Sequence, residues 1–100
     1  MAQQFSGDQV TAIVVDAITN SLLLSGRPAP NNITATMKLL KDIEGFDSPM
    51  GVDVTVDLEL QLGIDLPHNI FVKEVNGVPR ARTLNEIVDI LRGKLVRKEA

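Results

Sequence analysis

Ser48-Pro-Met-Gly-Val-Asp-Val-Thr-Val-Asp-Leu-Glu-Leu-Gln-Leu-Gly-Ile-Asp-Leu-Pro67 is the stretch on which the fold turns. Within it, Val52, Val54, Val56, Leu58, Leu60, Leu62, Ile64 and Leu66 alternate without a break against Asp53, Thr55, Asp57, Glu59, Gln61, Gly63 and Asp65. By period alone this is a half-buried β-strand. As a helix it would set Asp53, Asp57 and Gln61 on one face and spread apolar residues around much of the rest, which suits a helix buried on more than one side. Periodicity favours the strand, although the entry to the stretch permits a helix. Ser is a preferred N-cap, and Pro is tolerated in a first turn, where its missing N–H needs no partner, so a helix can begin at Ser48-Pro49.

The flanking segments are easier. Val10, Ile13, Val14, Ala17, Ile18 and Leu22 recur at the spacing of one helix face, and Ser6 with Gln9 forms a capping box, so residues 7–24 are expected as a helix. Gly26, Pro28, Pro30, Asn31 and Asn32 then mark a long surface loop. Met37, Leu40 and Ile43 suggest a short helix over Thr36 to Asp42. A second capping box, Thr83 with Glu86, precedes Leu84, Ile87, Val88 and Leu91, and predicts a helix over 84–92 that stops at Gly93 and leaves a fraying basic tail. Between Pro67 and Thr83 lies a connector in which Asn76-Gly77 and Pro79 signal a turn within a basic loop, 73–82, carrying Lys73, Arg80 and Arg82.

The chain has 100 residues, 44% of them apolar and 23% charged, with a net charge of −3, which is the size and balance of a single domain. Its core is expected over about 6–93, with flexible termini. Phe5, Phe46 and Phe71 are the whole aromatic complement, so stacking platforms for bases are missing, and the acidic balance disfavours nucleic acid and anionic membranes as partners. With no Cys and a single His, thiol chemistry is excluded and a zinc or iron site is poorly supplied. The first residues lack the basic start and apolar run of a signal peptide, and a cytoplasmic location is the default expectation. The charge is uneven: Asp42 to Val72 carries −7 with no Lys or Arg, and the remainder +4.

Ser48 is the one hydroxyl whose setting suggests chemistry. A Ser at a helix start lies at the positive end of the helix dipole among free backbone N–H groups, a favourable place for a phosphate ester. A plain cap is the simpler reading of the same local sequence. The run Gly45-Phe-Asp-Ser-Pro-Met-Gly-Val-Asp-Val, continued by Leu58-Glu59 and Gly63-Ile-Asp-Leu-Pro67, resembles the acyl carrier proteins and the carrier domains of polyketide synthases. Their signature reads roughly Gly-(Leu/Phe/Tyr)-Asp-Ser-Leu-Met-x-Val-Glu-Leu, then Leu-Glu and Gly-(Ile/Val)-x-(Ile/Leu)-Pro. From Gly45 to Pro67 the correspondence is ungapped.

That resemblance implies an all-α fold, an antiparallel three- to four-helix bundle with main helices at about 7–24, 49–62 and 84–92, and so a helix where the periodicity reads strand. It implies a non-catalytic carrier whose Ser48, preceded by Asp47, is esterified by phosphopantetheine drawn from coenzyme A, the arm holding an acyl group as a thioester. The implied partners are a phosphopantetheinyl transferase and a ketosynthase, acyltransferase or other synthase enzyme with a basic docking patch. Met50, Asp53 and Asp57 are the residues that would meet them, and the protein itself is expected to be a monomer. Pro49 stands where the family has a Leu that contacts the modifying transferase, Gly51 and Val54 are smaller than usual, and the 67–83 connector is several residues longer. The alternative is a non-modified interaction module in which 51–66 is a strand and Ser48 only a cap. A hydrolase pairing Ser48 with His68 is disfavoured by the missing Gly-x-Ser-x-Gly elbow and by the expectation that His68 falls past the far end of the helix.

Overall fold

In a computed structural model, which describes residues 5–99, the chain runs α1 (Gly7–Leu24), α2 (Leu39–Asp42), α3 (Ser48–Leu62), β1 (Val72–Val75), β2 (Val78–Ala81) and α4 (Leu84–Glu99). The fold mixes helices with a two-stranded antiparallel sheet, and the all-α bundle expected from the sequence is corrected accordingly.

The alternating stretch is helical, and its burial shows why. Met50, Val54, Thr55, Leu58 and Leu62 are buried at helical spacing, whereas Val56 and Leu60, which the alternation would put on the same face, are 48% and 79% exposed. A strand would bury one face and leave these residues no separate fates. Helix α3 starts on Asp47, whose carboxylate accepts the Met50 N–H, and ends at Gly63, whose φ of 64° and ψ of 40° give the left-handed cap that only Gly adopts without strain. The strand alternative for 51–66 is therefore set aside, and the cap moves one residue: Asp47 is the N-cap and Ser48 the first helical residue.

Three helix faces build the core. Val10, Val14, Ala17, Ile18 and Leu22 of α1 pack with α3 and with Leu84, Ile87, Val88, Leu91 and Leu95 of α4. Ile70 and Phe71, between α3 and β1, close the core; Phe71 meets Phe46 edge to face at 5.1 Å between ring centres. The expected stop at Gly93 is not observed. Leu95, 7% exposed, extends the buried stripe of α4 by another turn, so packing carries the helix through Gly93 to Glu99. The tail expected to fray is thus helical; the other expected loose end, residues 1–4, lies outside the described residues. Helix α2 is shorter than expected, beginning at Leu39 rather than Thr36.

The expected basic loop at 73–82 is the hairpin. Its two-residue turn, Asn76-Gly77, has φ of 52° and 77°, the positive values that a twist-matched hairpin turn requires, and pairs Val75 with Val78 and Val72 with Ala81. Four-residue strands are too short for alternation to declare itself, and Pro79 argues against a strand. Pro79 is accommodated because a two-stranded sheet is all edge. The hairpin is tied to the bundle through the Arg82 N–H, which donates to the Phe71 carbonyl, and the Leu39 N–H, which donates to that of Arg82. No described helix is long and apolar enough to cross a membrane.

Candidate functional site

The site is the N-terminal turn of α3 and what holds it. Asp47 has two engagements: one carboxylate oxygen caps the Met50 N–H at 3.1 Å, and the other lies 3.6 Å from the Arg27 guanidinium, which also donates to the Gly45 carbonyl. Gly45 has a φ of 83°, and a Cβ there would stand 3.0 Å from the Arg27 side chain, so the turn entering α3 needs this glycine twice over. Asp47 is thereby fixed as the base of the turn, and Ser48 projects next to it, exposed to solvent.

Asn69 grips Ser48 from the other side. The chain after α3 doubles back, and the Asn69 amide nitrogen donates to the Ser48 carbonyl at 3.2 Å and to Ser48 Oγ at 3.3 Å. Its carbonyl oxygen accepts the Phe71 N–H at 3.0 Å, closing an Asx-type turn. This side chain lies directly over Gly51: a Cβ at 51 would be 2.9 Å from Asn69 Oδ1. The small residue in a helix otherwise rich in branched side chains therefore exists to admit Asn69. One turn further on, the buried Thr55 hydroxyl donates to the Gly51 carbonyl at 2.7 Å and accepts the Ile70 N–H at 3.1 Å, anchoring the returning chain. Glu59 accepts the Leu66 N–H at 3.0 Å and holds the loop's beginning.

The doubling back also corrects the expectation that His68 lies past the far end of the helix. It is adjacent to Asn69, which touches Ser48, but His68 is exposed and its side chain makes no hydrogen bond among the described residues. The single side-chain hydrogen bond of Ser48 Oγ there is one it accepts. No carboxylate or imidazole is bonded to it to take its proton. The arrangement can present a hydroxyl of fixed orientation in the field of a 15-residue helix, with no base hydrogen-bonded to it among the described residues.

Of the other residues expected here, Asp53 and Asp57 are exposed on α3, and Asp57 accepts a hydrogen bond from Gln61 at 3.0 Å. Met50 is 7% exposed and belongs to the core, which corrects its expected place on the docking face. The exposed apolar residues of α3 are instead Pro49, Val56 and Leu60, so that its solvent face is a mixed strip of aliphatic and acidic side chains. Asn69 and Thr55 had no sequence signal, because a polar residue that bonds a group 15 or 21 positions away leaves no trace in local spacing. Compared with family models, with characterised proteins and with solved structures, the chain matches none.

Proposed function

We propose that the chain is a carrier: Ser48 is the attachment point of a phosphopantetheine arm, delivered by a separate transferase, and α3 is the surface that partner enzymes read. The observation that carries this reading is the state of Ser48, exposed at the positive end of α3 and, among the described residues, with its hydroxyl bonded only as an acceptor and to no base. A hydrolytic Ser needs an adjacent base; a Ser modified by another enzyme needs only exposure and fixed orientation. The group fits the site, since the hydroxyl opens to solvent and the helix dipole favours the phosphodiester's charge. When bound, the arm supplies the thiol on which an acyl group is held as a thioester.

The chain's own part is to position and to be recognised. Asp47 and Asn69 fix the turn that carries Ser48, while Asp53, Asp57, Val56 and Leu60 offer a strip for a partner's basic and apolar groups. Fatty-acid or polyketide synthesis in the cytoplasm is the pathway class this reading serves. Attachment of the arm is tested by mass after incubation with coenzyme A and a phosphopantetheinyl transferase. A companion variant, Pro49→Leu, restores the residue type that resembling proteins present to that transferase and is expected to accelerate attachment; equal rates would remove Pro49 from the recognition surface.

A further inference from the structure

A groove of about 450 Å³ lies between α2, the hairpin and the start of α4, lined by Lys38, Lys41, Lys73, Arg80 and Glu86 over an aliphatic floor that includes Leu40 and Val72. In an acidic chain this is a concentration of cations with one acid among them, and that acid is occupied. Glu86 Oε2 is bonded to Lys73, and Oε1 accepts from the Thr83 N–H at 3.0 Å and its hydroxyl at 3.3 Å. Asp42, the next acid along α2, spends its carboxylate on the Lys38 backbone N–H at 2.8 Å. Lys38, Lys41 and Arg80 consequently have no carboxylate partner among the described residues.

Lys73 and Arg80 are also direct cross-strand partners in the hairpin. Like charges placed so are unfavourable, and Glu86 compensates this pair only at Lys73, leaving Arg80 without a carboxylate among the described residues. Three uncompensated cations on two chain segments, α2 with its N-cap and β2, around an aliphatic floor, make a surface that gains by meeting an anion. The lining sets these exposed cations beside Leu40, Val72, Pro79 and Ala81, which suits a ligand carrying carbon chains as well as charge better than a bare phosphate.

From this charge complementarity we infer that the groove docks an extended acidic segment of a partner protein, its carboxylates on Lys38, Lys41 and Arg80 and its aliphatic carbons on the floor. The site lies on the hairpin side of the molecule and uses none of the Ser48 machinery, so it stands whether or not Ser48 is modified.

The test uses the full-length, isotope-labelled protein and a fluorescent peptide of alternating Glu and Ala, with a Gln-for-Glu peptide as control. The expected result is amide shifts confined to residues 38–41 and 72–86, with an affinity that falls about tenfold between low and moderate salt. It should fall about tenfold or more in Lys41→Glu with Arg80→Glu, both exposed, at unchanged circular dichroism. Shifts mapping elsewhere, equal binding of the Gln peptide, or an unaffected double variant would overturn the inference. So would the same shifts from inorganic pyrophosphate at equal concentration, which would define a compact phosphate site. Self-association by sedimentation that the double variant abolishes would also overturn it, assigning the groove to a second copy instead.

Discussion

Gly51 and Asn69 make one unit, and their energetics should be coupled. In an exposed helix interior Gly→Ala ordinarily stabilises by about 1 kcal/mol. Here Gly51→Ala is expected to destabilise, because the new Cβ must displace a side chain held by three hydrogen bonds. Asn69→Ala should cost about 1–2 kcal/mol through its lost turn bond and its lost grip on Ser48. In the double variant the added methyl at position 51 meets no obstruction and the helix gains its usual propensity, so chemical denaturation should show a non-additive cycle in which Gly51→Ala changes sign. Simple additivity would mean that the contact carries no energy. Thr55→Val preserves shape but leaves the buried Ile70 N–H unpaired, with an expected loss of about 1–3 kcal/mol in the same measurement.

At the scale of elements, α3 is a helix that its own sequence resists. Val52, Val54, Thr55 and Val56 are β-favouring and Gly51 is a poor helix former, so burial of Met50, Val54, Leu58 and Leu62 against α1 and the core must supply the stability. A peptide spanning residues 46–64 should accordingly show no helical circular dichroism in water, whereas the intact protein is helical there; a helical peptide would assign the helix to local propensity. The same conflict explains what was legible. Helices α1 and α4 declared themselves by capping boxes and a clean 3.6 period, but α3 could be read as a helix only through its resemblance to carrier proteins. The hairpin was visible only as its Asn76-Gly77 turn, and the extension of α4 past Gly93 depended on a packing site for Leu95 that no local rule reports. At the entry to α4, the Lys73 hydrogen bond, then the Thr83 backbone bond, hold the Glu86 carboxyl below its ordinary value of 4.5. A carboxyl lowered on folding stabilises the protein above that ordinary value and loses the contribution as pH falls through the folded value. The melting temperature should therefore drop on acidification below about pH 4.5, and less steeply in Lys73→Met; identical slopes would contradict the link.

On the scale of the whole molecule, charge is divided by the topology. The segment from Asp42 to Val72 contributes −7 and includes the exposed strip of α3, while cations gather around the hairpin groove. Sequence arithmetic revealed the segregation but not its geometry, since Lys38 and Arg80 line one groove only through the fold. If α3 is the face that synthase enzymes read, Asp53→Lys with Asp57→Lys should weaken binding to a basic-patched ketosynthase by about tenfold and flatten its salt dependence. Retained binding would move recognition elsewhere. The candidate site was legible to the same degree: Asp47, Ser48, Asp53 and Asp57 could be named from a motif, but the Asn69 grip that orients Ser48 depends on a chain reversal encoded by no motif. The carrier reading is tested most directly by the intact mass of the protein after incubation with coenzyme A and a broad-specificity phosphopantetheinyl transferase. A gain of one phosphopantetheine is expected, located on Ser48 by fragmentation and absent in Ser48→Ala. An unchanged mass in both the wild-type chain and Pro49→Leu, with a known carrier modified in the same reaction, would contradict it.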